Sequence, residues 1–507
     1  MVHSKCPLRD FAAAVLPRFW SRSYLPVVVA SVLLTSGCTT LAPQYERPKV
    51  EIPATYRFEP TIVAVTANTA WWQQFGDPVL DELITSALVN NYSVQIAAAN
   101  VEGALSIVTQ TRSALYPQVG YAASGTELRS PDTGLTAAIP NLPNPQETYQ
   151  AMLSASWELD LWGRIRNLSE AAQASMLATE EVRRGVILTL VSSVASSYIS
   201  LRGLDEQLAV GQRNLATYGE SVRLYQLQFK YGQSSLMTVA QAQSQYETAA
   251  TQIPQIESQI AQVENALSVL LGRNPGPIPR GKSVSELVSP VAPSGLPSTL
   301  LERRPDLLQA EQSLIATNAQ IGAAKALYFP TISLTGAFGS QSSSLSDLFE
   351  GSTRTWNYAG QVVGPIFTFG AVSGQVAQAE AAQRAALASY KLAVQNAFAD
   401  VENALVANLK IGEQLLAQKR LVSALAEYER LAKLQYDGGY AAYSTVLQAQ
   451  QTLFPAELAL AALRASVLNS SAAIYTAMGG GWIDDAGKLI GRAPPALEEP
   501  AGGPPLF

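Results

Sequence analysis

Two stretches of the chain, about 165–229 and about 372–436, run some 65 residues each without an interior proline. As helices they would be roughly 95 Å long at a rise of 1.5 Å per residue. No globular core is that thick, so helices of this length pack along one another as coiled coils. Small residues suit such seams: Ala377, Ala379, Ala381, Ala382, Ala385, Ala386 and Ala388 fall in one stretch. The two segments are also copies in register. Leu161-Trp162-Gly163 recurs as Thr368-Phe369-Gly370, Gly232 as Gly439, Thr238-Val239 as Thr445-Val446, and Leu271-Gly272 as Met478-Gly479, all at an offset of 207. Upstream, Pro117 matches Pro330 at an offset of 213, so the first copy carries a longer loop between that proline and the glycine beyond. A fixed offset held over this distance marks an internal repeat.

Each copy reads helix, hairpin, very long helix, tight turn, helix. The hairpins show period two. Tyr149, Ala151, Leu153, Ala155, Trp157, Leu159 and Leu161 alternate with Gln150, Met152, Ser154, Ser156, Glu158 and Asp160. In the second copy Ile332, Leu334, Gly336 and Phe338 alternate with Thr331, Ser333, Thr335 and Ala337. Trp356, Tyr358, Val362 and Ile366 share one face of the return strand. At about 10–13 residues these strands are long enough to cross a bilayer when tilted. Half-buried strands of a sandwich would alternate in the same way, and the strands alone leave both options open.

Residues 1–37 have the form of an export signal. Lys5, Arg9, Arg18 and Arg22 precede a short apolar run, Leu25 to Leu34, which ends in Thr35-Ser36-Gly37-Cys38. That end resembles a bacterial lipobox, which implies cleavage before Cys38 and lipidation of its thiol. Cleavage removes His3 and Cys6, leaving a chain with no histidine and no cysteine but Cys38. Such a chain can hold no Ser-His-Asp or Cys-His arrangement and no His/Cys metal site. Carboxylate-only catalysis, as in glycosidases, stays formally open, but nothing in the sequence points to it; the reading is of a non-enzyme with no catalytic residue, no metal and no cofactor. A net charge of −6 excludes broad electrostatic binding to nucleic acid, which needs a basic face. Mean hydropathy is only +0.09, and after the N-terminus no run of about 18 apolar residues suggests a spanning helix. A β-barrel leaves a much weaker hydropathy trace.

The expected organisation is a signal peptide, 1–37; a lipid-anchored extension, 38–70; and a first repeat, 71–272. That repeat holds a hairpin at about 116–161, the long helix at about 165–229 and a helix at about 236–271. A Pro-rich linker, 273–300, leads to a second repeat, 301–482, with a hairpin at about 329–367, the long helix at about 372–436 and a helix at about 444–478. Residues 483–507 have no apolar period and read as disordered. Two hairpins give four strands, too few to close a barrel, and an open sheet edge in lipid is forbidden. Several copies must close it together; three would supply twelve strands.

Longer motifs point the same way. Ala42-Pro43-Gln44-Tyr45-Glu46-Arg47-Pro48, Trp71-Trp72-Gln73-Gln74-Phe75-Gly76-Asp77-Pro78-Val79-Leu80, Trp157-Glu158-Leu159-Asp160-Leu161-Trp162-Gly163-Arg164, Leu301-Glu302-Arg303-Arg304-Pro305-Asp306 and Met478-Gly479-Gly480-Gly481-Trp482 occur in that order. Together they resemble the outer-membrane factors, the TolC-like channel-tunnels, in their NodT-type efflux-lipoprotein branch. The resemblance implies a mainly α chain with a membrane β-barrel: a homotrimer whose twelve-stranded barrel continues as a long periplasmic α-helical barrel. It implies an outer-membrane efflux exit duct, anchored in outer-membrane lipid, whose partners are a periplasmic adaptor and an inner-membrane pump of the resistance-nodulation-division class. A type I protein-secretion duct and a lipid-anchored coiled-coil scaffold without a pore are the alternatives. Arg303, Arg304 and Asp306 are expected to cap and pair at a helix start, and Trp71 and Trp72 to pack.

The turns after the long helices, at Tyr231-Gly232 and Gly438-Gly439, are expected to form a periplasmic aperture. Relatives often place acids on the helix after the second turn. Here Thr445 and Gln448 stand at those positions, and the only nearby acid is Asp437. The expectation is an aperture closed by inter-helix contacts of Tyr436, Tyr440 and Tyr443, with at most one acidic ring from Asp437.

Overall fold

A computed structural model describes residues 41–53, 55–58, 70–131, 133, 143–290 and 300–480. The signal segment, Cys38, much of the N-terminal extension, part of the linker and the tail lie outside the described residues. The chain divides into two units.

The first unit, which includes 115–167 and 322–369, holds one four-stranded antiparallel sheet in the order β1-β2-β3-β4. Its strands are β1 (Gln118–Leu128), β2 (Gln146–Leu159), β3 (Thr331–Ser342) and β4 (Arg354–Val363). The two hairpins share one register. Adding 213 to a β1 residue and 207 to its β2 partner lands on a β3–β4 pair: Gln118 opposite Ser156 becomes Thr331 opposite Val363, and Gly125 opposite Tyr149 becomes Phe338 opposite Trp356. Close contacts require some of the sheet's glycines. A Cβ on Gly339 would strike the Ala151 carbonyl, and one on Gly125 would sit 3.0 Å from the Tyr149 ring.

The second unit is helical. It is built on α1 (Pro78–Asn90), α2 (Tyr92–Ser113), α3 (Arg164–Lys230), α4 (Leu236–Leu270), α5 (Pro305–Ala326), α6 (Ala371–Asp437) and α7 (Tyr443–Ala477). Helices α3 and α6 are each 67 residues long, or about 100 Å. Helices α4 and α7 keep going through Pro254 and Pro455, each of which removes one intrahelical hydrogen bond.

Polar rungs trace α3 running antiparallel to α7. They are Ser192 with Thr476 (2.8 Å), Ser200 with Asn469 (3.1 Å), Glu206 with Arg464, and Asn214 with Glu457 (2.9 Å). Between them a Cβ on Gly203 would lie 2.6 Å from that of Ala465, so the two helices touch there. Along α6 and α7 the rungs are Asn408 with Ser470, Gln418 with the Ala456 carbonyl, and Glu429 with Gln450. Helices α3 and α7 each contain an 18-residue window of mean hydropathy 1.3; 50% and 44% of it is buried inside the chain, which is helix–helix packing.

The main core gathers where α1, α3, α4 and α7 meet. Trp71 is fully buried and stacks on Tyr475 at 5.5 Å. Asp77, also fully buried, caps α1 by accepting from Val79 N–H (3.0 Å); its other oxygen accepts from the Tyr198 hydroxyl (2.7 Å) and Lys282 N–H (3.0 Å). Gly281 N–H in turn donates to Tyr198, and a Cβ on Gly281 would land on the Asp77 carboxylate. Three separate segments are thereby tied by one carboxylate. Arg304 pairs with Asp306 (2.6 Å) and with Asp400 (2.9 Å), and donates to the Ala477 carbonyl. The residues after Ala42 lie along α5: Arg47 pairs with Glu311 at 2.7 Å, Tyr45 donates to the same carboxylate, and Asn318 donates to the Pro43 carbonyl.

Candidate functional site

Side chains alternate along each strand, and residues paired across strands share a face. One face of the sheet therefore carries Val119, Tyr121, Leu153, Trp157, Leu159, Ile332, Leu334, Phe338, Trp356, Tyr358 and Val362. The opposite face carries Gln118, Ser124, Thr126, Gln150, Ser154, Ser156, Ser333, Thr335, Asn357 and Gln361. The apolar face is solvent-exposed over most of its area, Tyr121 and Tyr358 at 87% and 80%. Trp356 and Tyr358 stack at 5.7 Å, near the loop end of β4. Charges on this face, Glu127, Glu147 and Arg354, are confined to that same end. A soluble sheet would hide such a face, whereas a membrane wall needs it, with the aromatic girdle at an interface.

The polar face is mainly hydroxyls, amides and small residues, with Leu128, Met152 and Val363 the larger apolar side chains on it. The one charge on its strands, Glu158, is held bidentate by Arg164 at 2.8 and 3.0 Å. A surface of this kind wets a lumen without selecting cargo by charge.

The strand-to-helix turn after β2 explains the Trp157-to-Arg164 motif. The Trp157 indole donates to the Leu115 carbonyl. Asp160 caps α3 by accepting from Ile165 N–H and Arg166 N–H (3.0 and 2.8 Å). Trp162 stacks on Phe329 at 4.6 Å and donates to the Pro330 carbonyl at 2.7 Å. Gly163 takes the left-handed φ of +73° that the turn demands.

The second candidate region, within the second unit, lies where α3 and α6 end and α7 begins. Tyr225 of α3, Tyr436 at the end of α6 and Tyr443 at the start of α7 form one aromatic cluster. Ring centroids are 4.2 Å apart for Tyr225–Tyr443, 5.6 Å for Tyr436–Tyr443 and 5.9 Å for Tyr225–Tyr436. Val222, Ala242, Ala432, Val446 and Ala449 complete the buried patch. Burial pushes the Tyr443 hydroxyl up to about 12; burial and the two neighbouring tyrosines raise Tyr225 as well.

Of the aperture residues read from sequence, Tyr436 and Tyr443 are thus brought together. Tyr440 is not: it is 89% exposed and lies against Gly438, where a Cβ would come within 2.9 Å of its ring. Thr445 is half-buried and Gln448 exposed. Asp437 is exposed and lines a groove of about 670 Å³ with Glu220, Arg223, Tyr225, Lys230 and Lys433. Tyr225 was not legible beforehand, because its cluster partners lie over 200 positions away and its helix offers no break to mark it. Cys38 lies outside the described residues.

An amphipathic β-wall and long antiparallel helices in one chain define an outer-membrane channel protein. Comparison with known proteins agrees: the family described as "Outer membrane efflux protein" matches residues 83–273 and 296–480. The toluene efflux pump outer membrane protein TtgC of Pseudomonas putida is 35% identical over 95% of this chain and 100% of its own. The cation efflux system protein CusC of Escherichia coli is 35% identical over 90% and 98%. Among solved structures, the open state of the Neisseria gonorrhoeae MtrE outer membrane channel superposes with a TM-score of 0.79 at 32% identity, covering 88% of this chain and 99% of that one. The chain belongs to the outer membrane efflux protein family, and it is an efflux exit channel of the outer membrane.

Proposed function

We propose that three copies of this chain close into one twelve-stranded barrel continued by a helical tube, and that cargo crosses the outer membrane through it passively. The observation that carries the reading is a sheet apolar on one face and polar on the other, whose outer strands, β1 and β4, each have a single paired neighbour. Such a sheet cannot sit alone in lipid. Energy then comes from partners, a periplasmic adaptor and an inner-membrane pump of the resistance-nodulation-division class, and this chain performs no chemistry. Relatives named for toluene and for a cation stand at the same 35% identity. Together with a polar face whose one charge, Glu158, is paired with Arg164, this supports a duct for drugs and other toxic small molecules whose selectivity resides in the pump. The lipobox supports anchoring through Cys38.

At the helix ends, Lys230 occupies in the first repeat the position of Asp437 in the second. Three copies would then alternate Lys230 and Asp437 around the aperture, a ring that is neutral overall and supports weak divalent block. The tyrosine cluster holds this end closed. Purified protein in planar bilayers tests the reading. A trimer should conduct in large steps once the helix ends are loosened, with little Mg²⁺ block in wild type or Asp437→Asn. A trimer that never conducts would favour the scaffold; strong divalent block in both proteins would refute the assignment of the aperture.

A further inference from the structure

The two repeats are alike in register and unlike at one place, the strand-to-helix turn. In the first repeat the turn is closed by the Glu158–Arg164 pair, the Asp160 cap and Trp162 seated on Phe329-Pro330. In the second repeat the equivalent residues are Pro365 for Glu158, Phe367 for Asp160 and Ala371 for Arg164, so the clamp is absent. Phe369, the counterpart of Trp162, is 99% exposed, and Ile366 and Phe367 beside it are 87% and 83% exposed. Phe369 is also the one non-glycine with positive φ (47°) among the described residues, a conformation that costs about 1–3 kcal/mol.

The seat that Trp162 uses is supplied by the two residues that lead into β3, the strand after β2. Among the described residues no strand follows β4. The equivalent seat is nevertheless present: Phe329-Pro330 corresponds, at the 213 offset, to Tyr116-Pro117, which precede β1, and Tyr116 is 61% exposed. An aromatic without a seat and a seat without an aromatic lie at the two open edges of one sheet.

We propose that the β4 edge of one copy pairs with the β1 edge of the next in the register inherited from β2–β3, with Phe369 seated on Tyr116-Pro117 of that next copy. Carrying over the pairs Leu159–Ile332 and Ser156–Thr335 places Ile366 opposite Val119, and Val363 opposite Ala122, of the next copy. The parity holds, since Ile366, Val362 and Tyr358 then share the apolar face with Val119, Ala123 and Glu127 across the seam. A slip by one residue would turn the strand's apolar set toward the lumen. Phe369 lacks the indole N–H of Trp162, so the seam has the ring contact without the hydrogen bond to the proline carbonyl. The proposal rests on the closed-barrel reading and adds its register and its aromatic seat.

The test is disulfide trapping in the full-length protein in outer-membrane vesicles. Two double variants, Val119→Cys with Ile366→Cys and Ala122→Cys with Val363→Cys, are oxidised with copper-phenanthroline and run unreduced. Facing residues in antiparallel strands have Cα atoms about 4.5–5.5 Å apart, within disulfide reach. A third variant, Ala123→Cys with Ile366→Cys, is offset by four residues, or about 14 Å along the strands. The expected result is a covalent trimer from the first two pairs at least tenfold more abundant than from the third. A third pair that links as well as the others, or native trimers in which neither seam pair links, overturns the register. Sedimentation as a monomer in detergent overturns the closed barrel itself, which distinguishes the two failures. A second readout concerns the seat. Phe369→Ser should dissociate the trimer at a lower temperature, and Phe369→Trp, able to donate to the Pro117 carbonyl, should not; equal loss in both removes the aromatic seat.

Discussion

The tyrosine cluster at the helix ends gives the sharpest mutational prediction, Tyr443→Ala. Tyr443 is 5% exposed and touches two other rings. A tyrosine buries roughly 200 Å², and truncation to alanine forfeits about 150 Å² of it. At about 25 cal/mol per Å² that is nearly 4 kcal/mol. Discounting for the partial compactness of the open state leaves about 3 kcal/mol, or roughly a hundredfold in the local opening equilibrium. The hydroxyl of Tyr443 makes no hydrogen bond among the described residues, so Tyr443→Phe keeps both ring contacts and should cost under about 0.5 kcal/mol. Amide hydrogen exchange of Ala432, Val446 and Ala449 reads the opening directly, and single-channel conductance reads its consequence. Tyr443→Ala should speed exchange there by roughly two orders of magnitude and raise the frequency of open events. If exchange rises less than threefold, or if Tyr443→Phe matches Tyr443→Ala, ring packing does not hold this end closed.

Four further outcomes are expected. Tyr198→Phe takes one of three donors from the buried Asp77 and strands Gly281 N–H, a loss of about 2–3 kcal/mol that should accelerate exchange at the Val79 and Lys282 amides. Gly203→Ala should force α3 and α7 apart at Ala465 and lower thermal stability by about 1–3 kcal/mol, and adding Ala465→Gly should restore it, as a double-mutant cycle would show. Alkaline pH should loosen the helix ends: with the Tyr443 pKa raised to about 12 in the fold and near 10 unfolded, its contribution is complete below pH 10 and is lost as pH climbs toward 12, so exchange at Val446 should rise over that window in wild type and less in Tyr443→Phe. Cys38→Ser should abolish acylation while trimers still form, and mass spectrometry of the mature wild-type N-terminus showing an unmodified chain would refute the anchor.

What was legible in the sequence is what periodicity and exclusion can carry. A wall between lipid and water must alternate at every residue, so Trp157, Leu159, Ile332 and Leu334 declare their face without any knowledge of their neighbours. A 67-residue helix must avoid proline, and the two longest proline-free stretches are where α3 and α6 stand. Three features carried no such trace. Asp77, Tyr198 and Gly281 meet in space from positions more than 80 apart, and each alone looks ordinary. Arg304 was readable as a helix-start residue paired with Asp306, but not as the partner of Asp400, because nothing local in α6 marks that carboxylate. Proline argues for a helix end, yet α4 and α7 continue through Pro254 and Pro455, held by the packing of neighbouring helices rather than by local preference. Tyr440, grouped with Tyr436 and Tyr443 by residue type, stands apart from their cluster in the single chain, just beyond the left-handed Gly439 (φ +76°).

The repeat also bears on the proposed closure of the barrel by several copies. Two perfectly equal halves would each end in the same turn, and any seam could pair with any other. Here the halves have diverged in a directed way. The turn after β2 draws its charges, cap and aromatic stack from its own chain, which holds β2 against β3 and makes the four-stranded sheet a unit. The turn after β4 has lost all of these: Pro365 cannot donate to any ladder, Phe367 cannot cap a helix, and Ala371 cannot hold a carboxylate. What it retains is apolar surface, Ile366, Phe367 and Phe369, which is unfavourable in water. An ionic clamp is stable in an isolated chain, whereas an exposed aromatic gains free energy only when a surface covers it. On the proposed seam, the first kind of turn serves folding and the second association. Restoring the clamp in the second repeat, by Pro365→Glu with Ala371→Arg, should accordingly leave the β1–β4 sheet intact. The same change should weaken assembly, because it supplies internally, and with charge, what the next copy would otherwise provide.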